Sequence, residues 1–260
     1  MNDRYKLDLF ISEEKNIGTP FPVQEITDDL YTHENIRICL LAMDLPGKSL
    51  KYRKELENRW IKLLPKLIHI KSISLRIRVG QPFFESVCEM QNLEHLHFWT
   101  SKVENIGSIA NLMRLERLDL DNFSQLQDIS PLRKLANLTR LSITSCFKIQ
   151  NYDIIGDMHN LIALRIRGDS AAPKNLILPS IFPFRTLNKL KHLDLSSTSI
   201  LDKSYLTILD LKNLERFDTQ ANIAKELRDK MLTHKKLKAG FFTDWDWDNK
   251  KILPGKNWAV

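Results

Sequence analysis

The chain has 260 residues, 43% of them apolar and 27% charged, a balance that fits a globular protein with a sizeable core and excludes a disordered chain. Its 8 glycines are too few for glycine-rich phosphate loops or a hairpin-dense sandwich, and the longest apolar run, Ile38 to Met43, falls far short of the roughly 20 residues that span a membrane. The formal charge of +7 is a mild bias towards acidic partners, and 3 cysteines without a CxxC pair argue against a disulfide framework or a cysteine zinc site and for a reducing, cytoplasmic setting.

Charged residues from Asp3 to Lys15 interrupt the N-terminal stretch, so no signal-peptide apolar region is expected. Residues 36–43 read as a buried strand. Ser49 to Leu64 reads as a helix with Leu56, Trp60, Leu63 and Leu64 on one side, ended by Pro65. Together residues 1–69 form the expected N-terminal cap.

A repeat follows, over residues 70–222. IKSISL begins at Ile70, LEHLHF at Leu93, LERLDL at Leu115, LTRLSI at Leu138, LIALRI at Leu161, LKHLDL at Leu190 and LERFDT at Leu214. The spacings are 23, 22, 23, 23, 29 and 24 residues. Each copy reads LxxLxL, whose last apolar positions alternate as a short strand does. The connectors carry apolar residues about every third position, as in Val103, Ile106, Ile109 and Leu112. Such a unit cannot bury its own apolar side, and stacking seven copies buries it continuously. The prediction is an α/β solenoid with a curved parallel sheet on its concave face and an irregular or helical convex side. The 29-residue copy contains Pro173, Pro179 and Pro183, which predicts a surface loop near residues 170–184. Beyond the repeat, residues 223–260 read as a C-terminal cap: a helix through Ile223, Leu227 and Met231, a strand at Leu237 to Phe242, and Trp245 and Trp247 as aromatic cover or, alternatively, a separate binding motif.

These copies resemble the leucine-rich repeats of bacterial, internalin-type proteins, most closely in LEHLHFWTSKVENIGSIANLMR and in QLQDISPLRKLANL, where Asp128, Ser130 and Pro131 make a tight connector. The asparagine that the resemblance leads one to expect after each strand is replaced by Ser101, Phe123, Cys146, Asp169 and Thr198, and kept at Asn222. Less regular connectors are therefore expected. The resemblance implies a non-enzymatic protein-binding scaffold. Ubiquitin-ligase effectors that carry the repeat add a large catalytic domain, for which the stretch after the last copy is too short.

In LxxLxL the third, fifth and seventh positions point to the concave side. They supply Arg76, with Arg78 continuing the alternation, then His95, His97 and Trp99, then Arg117, Asp119 and Asp121, and further on Arg140, Arg165, Arg167, Asp194, Arg216 and Asp218. Gln220 ends the last copy. This face has seven arginines and no lysine, although lysine is the commoner cation in the chain. Guanidinium forks pair bidentately with carboxylates, and exposed aromatics such as Trp99 anchor partners. The face is expected to bind a protein partner with exposed acidic groups, an immunity protein covering a toxin being one form of that reading. Pairing of Arg with Asp across strands, as between Arg165 and Asp194, is the alternative for individual residues.

Two other readings stay open. The concave arginines, with His234, Lys235, Lys236 and Lys238, could hold nucleic acid, although the aspartates and the lack of stacking aromatics weigh against it. His95 and His97 share a strand face with Asp119 on the next strand, a set that could hold a hydrolytic zinc. No catalytic fingerprint accompanies them, so neither metal nor cofactor is expected.

Overall fold

The computed structural model describes residues 7–11, 17–169, 174–219 and 222–253. In chain order the strands are β1 (Phe21–Val23), β2 (Asn35–Cys39), β3 (Ser72–Val79), β4 (His95–Ser101), β5 (Arg117–Asp121), β6 (Arg140–Thr144), β7 (Ala163–Arg167), β8 (Leu176–Leu178), β9 (His192–Leu195), β10 (Thr198–Ile200), β11 (Arg216–Thr219), β12 (Trp245–Asp246) and β13 (Lys251–Ile252). Nine of them form one sheet in the order β1-β2-β3-β4-β5-β6-β7-β9-β11, every adjacent pair parallel. Parallel neighbours require a crossover from the end of one strand to the start of the next, and the repeat supplies it. The apolar residues at positions one and four of each copy, such as Leu93 with Leu96 and Leu115 with Leu118, are buried in a single core.

The connectors are more regular than the substituted asparagine position implies. Five 3₁₀ turns, Gly107–Asn111, Ser130–Lys134, Asp153–Asp157, Phe182–Thr186 and Tyr205–Leu209, repeat along the convex side. Each is entered through the same local bond, in which a side-chain oxygen accepts the backbone N–H two residues on. The acceptors are Asn105, Asp128, Asn151, Ser180 and Asp202, at 2.7–3.0 Å, and these short polar side chains favour such turns. The strand-end position is also satisfied without asparagine. The Ser101 hydroxyl donates to Val79 O, the Cys146 thiol to Leu120 O and the Thr198 hydroxyl to Ile166 O, each reaching the preceding repeat. Phe123 fills the same position with a buried ring, edge-to-face on Phe98 at 5.3 Å. An asparagine ladder does exist, one residue before the first leucine of a copy: Asn92, Asn137, Asn160 and Asn213 each donate an amide N–H to a carbonyl of the previous repeat, at 2.6–2.8 Å.

At the N-terminal end β1 and β2 extend the sheet, and α1 (Leu50–Leu63) packs Leu56 and Trp60 into the core, its first turn capped by Ser49 Oγ accepting from Tyr52 N. The strand expected to reach Met43 stops at Cys39. Leu41 N donates to the Asp44 carboxylate and Asp44 N to Leu41 O, which turns the chain there. A second helix, α2 (Gln81–Cys88), replaces the connector after β3. The loop expected near 170–184 lies partly outside the described residues, as does Gln220. Its described portion contains β8, which pairs with β10 as a small second ribbon.

At the other end α3 (Lys225–Met231) buries Met231. Of the strand expected at Leu237 to Phe242, one bridge remains, from Ala239 to Arg216. Gly240 then takes φ +109, where an added Cβ would run into the Phe217 backbone, and the chain enters α4 (Phe241–Asp244). Phe242 covers Phe217 at 5.5 Å, and the Trp247 indole donates to Phe242 O, so Trp247 packs on the aromatic cover of the last repeat, while Trp245 stacks on Phe241 at 5.0 Å.

Candidate functional site: the concave face

The strand register lines up the concave side chains in columns. His95, Arg117, Arg140, Ala163, His192 and Arg216 follow one another in the third-position column, and His97, Asp119, Ser142, Arg165, Asp194 and Asp218 in the fifth. An extra residue in β3 between Leu75 and Arg78 shifts the register by one, so Arg78 stands opposite Thr100 where the unbroken alternation would set it opposite Ser101. Arg78 is therefore separated from the column that the alternation assigned to it.

The face divides in two. Towards β2 and β3 it is open. Trp99 is 41% exposed, and the Arg76 and Arg37 guanidinium groups lie 5.4 and 5.9 Å from its ring. Its indole N–H donates to Ser74 Oγ, which also contacts His97 Nδ1, while His97 Nε2 contacts the Asp121 carboxylate at 3.0 Å. This chain fixes the indole plane. Burial works against a charge on His97, but the hydrogen bond to Asp121 and the nearby Asp119 carboxylate prevail and raise its pKa. Beside Trp99 is a pocket of about 390 Å³ lined by Ile17, Pro20, Arg37, Ser74, His95 and His97, among others. Arg37 was missed by the sequence reading, because β2 lies outside the leucine repeat. The pairing of Arg37 with Ser74 places it on the same face.

Towards β5, β7, β9 and β11 the face is closed. Arg117, Asp119, Asp194, Arg216 and Asp218 are buried, contrary to the expectation of an open surface. Two causes act. First, arginines and aspartates pair: Arg117 Nε with Asp119 at 2.7 Å, Arg165 Nε with Asp194 at 2.8 Å, Arg216 Nε with Asp218 at 2.6 Å. Although burial opposes ionisation of Asp194, Arg165, His192 and Arg167 hold its carboxyl below the usual range; the His192 hydrogen bond and Arg216 do the same for buried Asp218. Second, residues 7–11 lie across this half of the face, with Phe10 fully buried. Nothing in the sequence flags that contact, since its partners are more than 100 residues away. Arg140 and Arg167, on β6 and β7, are half-buried.

The zinc set does not assemble. Asp119 is paired with Arg117 and His97 with Asp121, while burial and the Arg117 and Arg140 charges push His95 down to about 4. Among the described residues, no three His, Cys, Asp or Glu side chains stand close enough to hold a metal ion. In the basic cluster named for nucleic acid, His234 Nε2 contacts Leu211 O, Lys236 donates to Asn213 and Lys238 lies 3.9 Å from Glu215.

A parallel sheet fed by repeated 3₁₀ turns, with ladders of polar side chains between turns, is the leucine-rich-repeat fold. No family model and no curated protein matches the chain. Among solved structures, it is similar to an internalin (inlF) from Listeria monocytogenes, with 18% identity and a TM-score of 0.54, covering 68% of this chain and 56% of that one. It is also similar to an internalin C2 (inlC2) from the same species (20% identity, TM-score 0.46, 64% and 70% covered) and to a leucine-rich-repeat protein from Leptospira interrogans (17%, 0.41, 85% and 70%). The chain thus spans little more than half the length of the first internalin. The likeness to the first internalin, at 18% identity, is one of fold alone. Among the described residues, no helix is long and apolar enough to cross a membrane.

Proposed function

We propose that the chain is a non-enzymatic interaction protein that grips a protein partner on the open half of its concave face, with Trp99 as the anchor. The carrying observation is an exposed indole held in one orientation by Ser74 and the His97–Asp121 pair, with two guanidinium groups 5.4 and 5.9 Å from its ring. Exposed, rigidly held aromatics flanked by arginine are the chemistry of binding hot spots. The Arg37 and Arg76 guanidinium groups beside Trp99 are half-buried, Arg76 with the Asp44 carboxylate at 3.5 Å, and such groups suit a partner that brings acceptors such as carboxylates. The arginines that motivated a nucleic-acid reading are mostly neutralised by neighbouring aspartates. Three free, buried cysteines fit a reducing compartment.

The test is affinity capture with the full chain as bait, beside Trp99→Ala and Arg76→Ala variants of matched thermal stability. One protein retained by wild type and released about thirtyfold more readily by Trp99→Ala is expected, since a hot-spot tryptophan contributes about 2 kcal/mol or more. Identical eluates from all three chains overturn the assignment of this face.

A further inference from the structure

Residues 8–10, Asp-Leu-Phe, occupy the closed half of the concave face in the manner of a bound peptide. The Phe10 ring is fully buried, yet it lies apart from the apolar core. Its neighbours are the Arg165 guanidinium at 4.2 Å, the Arg117 guanidinium at 5.7 Å and the His192 ring, edge-on at 5.5 Å. A ring enclosed by cations and an imidazole is held by recognition contacts that a loose segment can leave, whereas a core ring is locked by interdigitated aliphatics. The backbone is read as well. Arg117 Nη1 donates to Phe10 O at 3.0 Å, and Leu9 N donates to His192 Nδ1 at 3.4 Å. The carboxylate of Asp8 lies 4.0 Å from Arg165 Nη2 and closes the turn by accepting the N–H of Phe10 and Ile11.

The receptor residues are oriented by the sheet itself. Arg117 is fixed through Nε on Asp119 and Arg165 through Nε on Asp194, so each presents its other edge to the segment. His192 donates from Nε2 to Asp218 at 3.2 Å, leaving Nδ1 as the acceptor that Leu9 uses. None of these ion pairs, nor the His192–Asp218 bond, uses an atom of residues 8–10. The result is a preorganised groove with a cationic slot and an aromatic-sized gap.

We propose that this groove is a binding site for short peptide segments in which a carboxylate side chain stands two residues before an aromatic ring, and that residues 8–10 of the chain fill it in cis until a partner segment of the same chemistry replaces them. The inference rests on the concave face being a binding surface and adds a second subsite beside Trp99. It also specifies the acidic partner: the acid is presented next to an aromatic on one strand of chain. Because the internal segment is tethered, its effective concentration reaches the millimolar range, and a free peptide must compete with that.

The test uses a fluorescent synthetic peptide with the sequence of residues 5–13 and reads anisotropy against full-length chains. The Asp8→Ala/Phe10→Ala chain is expected to bind it at least tenfold more tightly than wild type, and peptides carrying Phe10→Ala or Asp8→Asn to bind it at least tenfold more weakly. Equal binding by both chains, or no binding by a double variant that retains the wild-type unfolding transition, overturns the proposal. A second measurement needs no variant: unlabelled peptide is titrated into isotope-labelled wild type. The amide signals of Leu9, Phe10 and Ile11 are expected to shift to unprotected positions as the segment is displaced. Unchanged signals at saturating peptide overturn the proposal even if the double variant unfolds. Neither measurement involves a cellular partner or Trp99. Peptide binding without Trp99-dependent capture would overturn the proposed function alone, and capture without peptide binding would overturn this inference alone.

Discussion

Replacing Phe123 by Asn sets the repeat's usual side chain against the packing of this chain. An asparagine after the strand could bond to backbone of the preceding turn, and a hydrogen bond formed in this way contributes about 1 kcal/mol. Phe123, however, is fully buried and meets Phe98 edge-to-face at 5.3 Å, and Phe98 in turn meets Phe84 at 5.6 Å. Removing such a ring typically costs about 3–5 kcal/mol, cavity included, and the aromatic contact adds about 0.5–1.5 kcal/mol to what burial alone supplies. Any amide hydrogen left unpaired in the core would add a further cost of about 1–3 kcal/mol. Phe123→Asn should therefore destabilise the chain by about 3 kcal/mol. Urea unfolding followed by circular dichroism measures it, with equal slopes in the two proteins making the midpoint shift a stability change. A variant as stable as wild type, or more stable, would show that the hydrogen-bond ladder outweighs the aromatic contact, and would refute the account of this position.

Other outcomes follow from the same geometry. Asp194→Ala leaves the buried Arg165 guanidinium without its 2.8 Å partner and should cost about 3–5 kcal/mol, while Arg165→Met/Asp194→Leu should recover much of that loss; a single variant no less stable than the double one counts against the pairing. His97 has its pKa raised in the folded chain, so its contribution is fully present below the unfolded value of about 6.5 and lost as pH rises through the folded value. Stability should fall over that window in wild type and stay flat in Asp121→Asn, and a His97 proton-resonance titration with an inflection at or below 6.5 would contradict the raised pKa. Burial pushes the thiols of Cys88 and Cys146 up to about 12 and raises that of Cys39. None of the three should react with a thiol reagent at pH 8 until the chain is unfolded, and fast labelling of the native protein would show that the core opens.

The spacing of LxxLxL determined the fold, because each repeat must bury the same side of its strand against its neighbour and that demand is local and periodic. The phase of the pattern assigned Leu96, Leu118 and Leu141 to the core and His97, Asp119 and Ser142 to the concave column. The regularity of the connectors was also written in the chain, in Asn105, Asp128, Asn151, Ser180 and Asp202, but in a different position from the asparagine that first drew attention. What lies over the concave face is another matter. Periodicity says which way a side chain points and not what comes to meet it. Phe10 reaches Arg117 across 107 residues and Leu9 reaches His192 across 183, and no local pattern carries such a pairing. The bulge that sets Arg78 opposite Thr100, and the pairing of β2 that brings Arg37 to within 5.9 Å of the Trp99 ring, depend likewise on how separate strands align. Only the tertiary structure shows which half of that face is open.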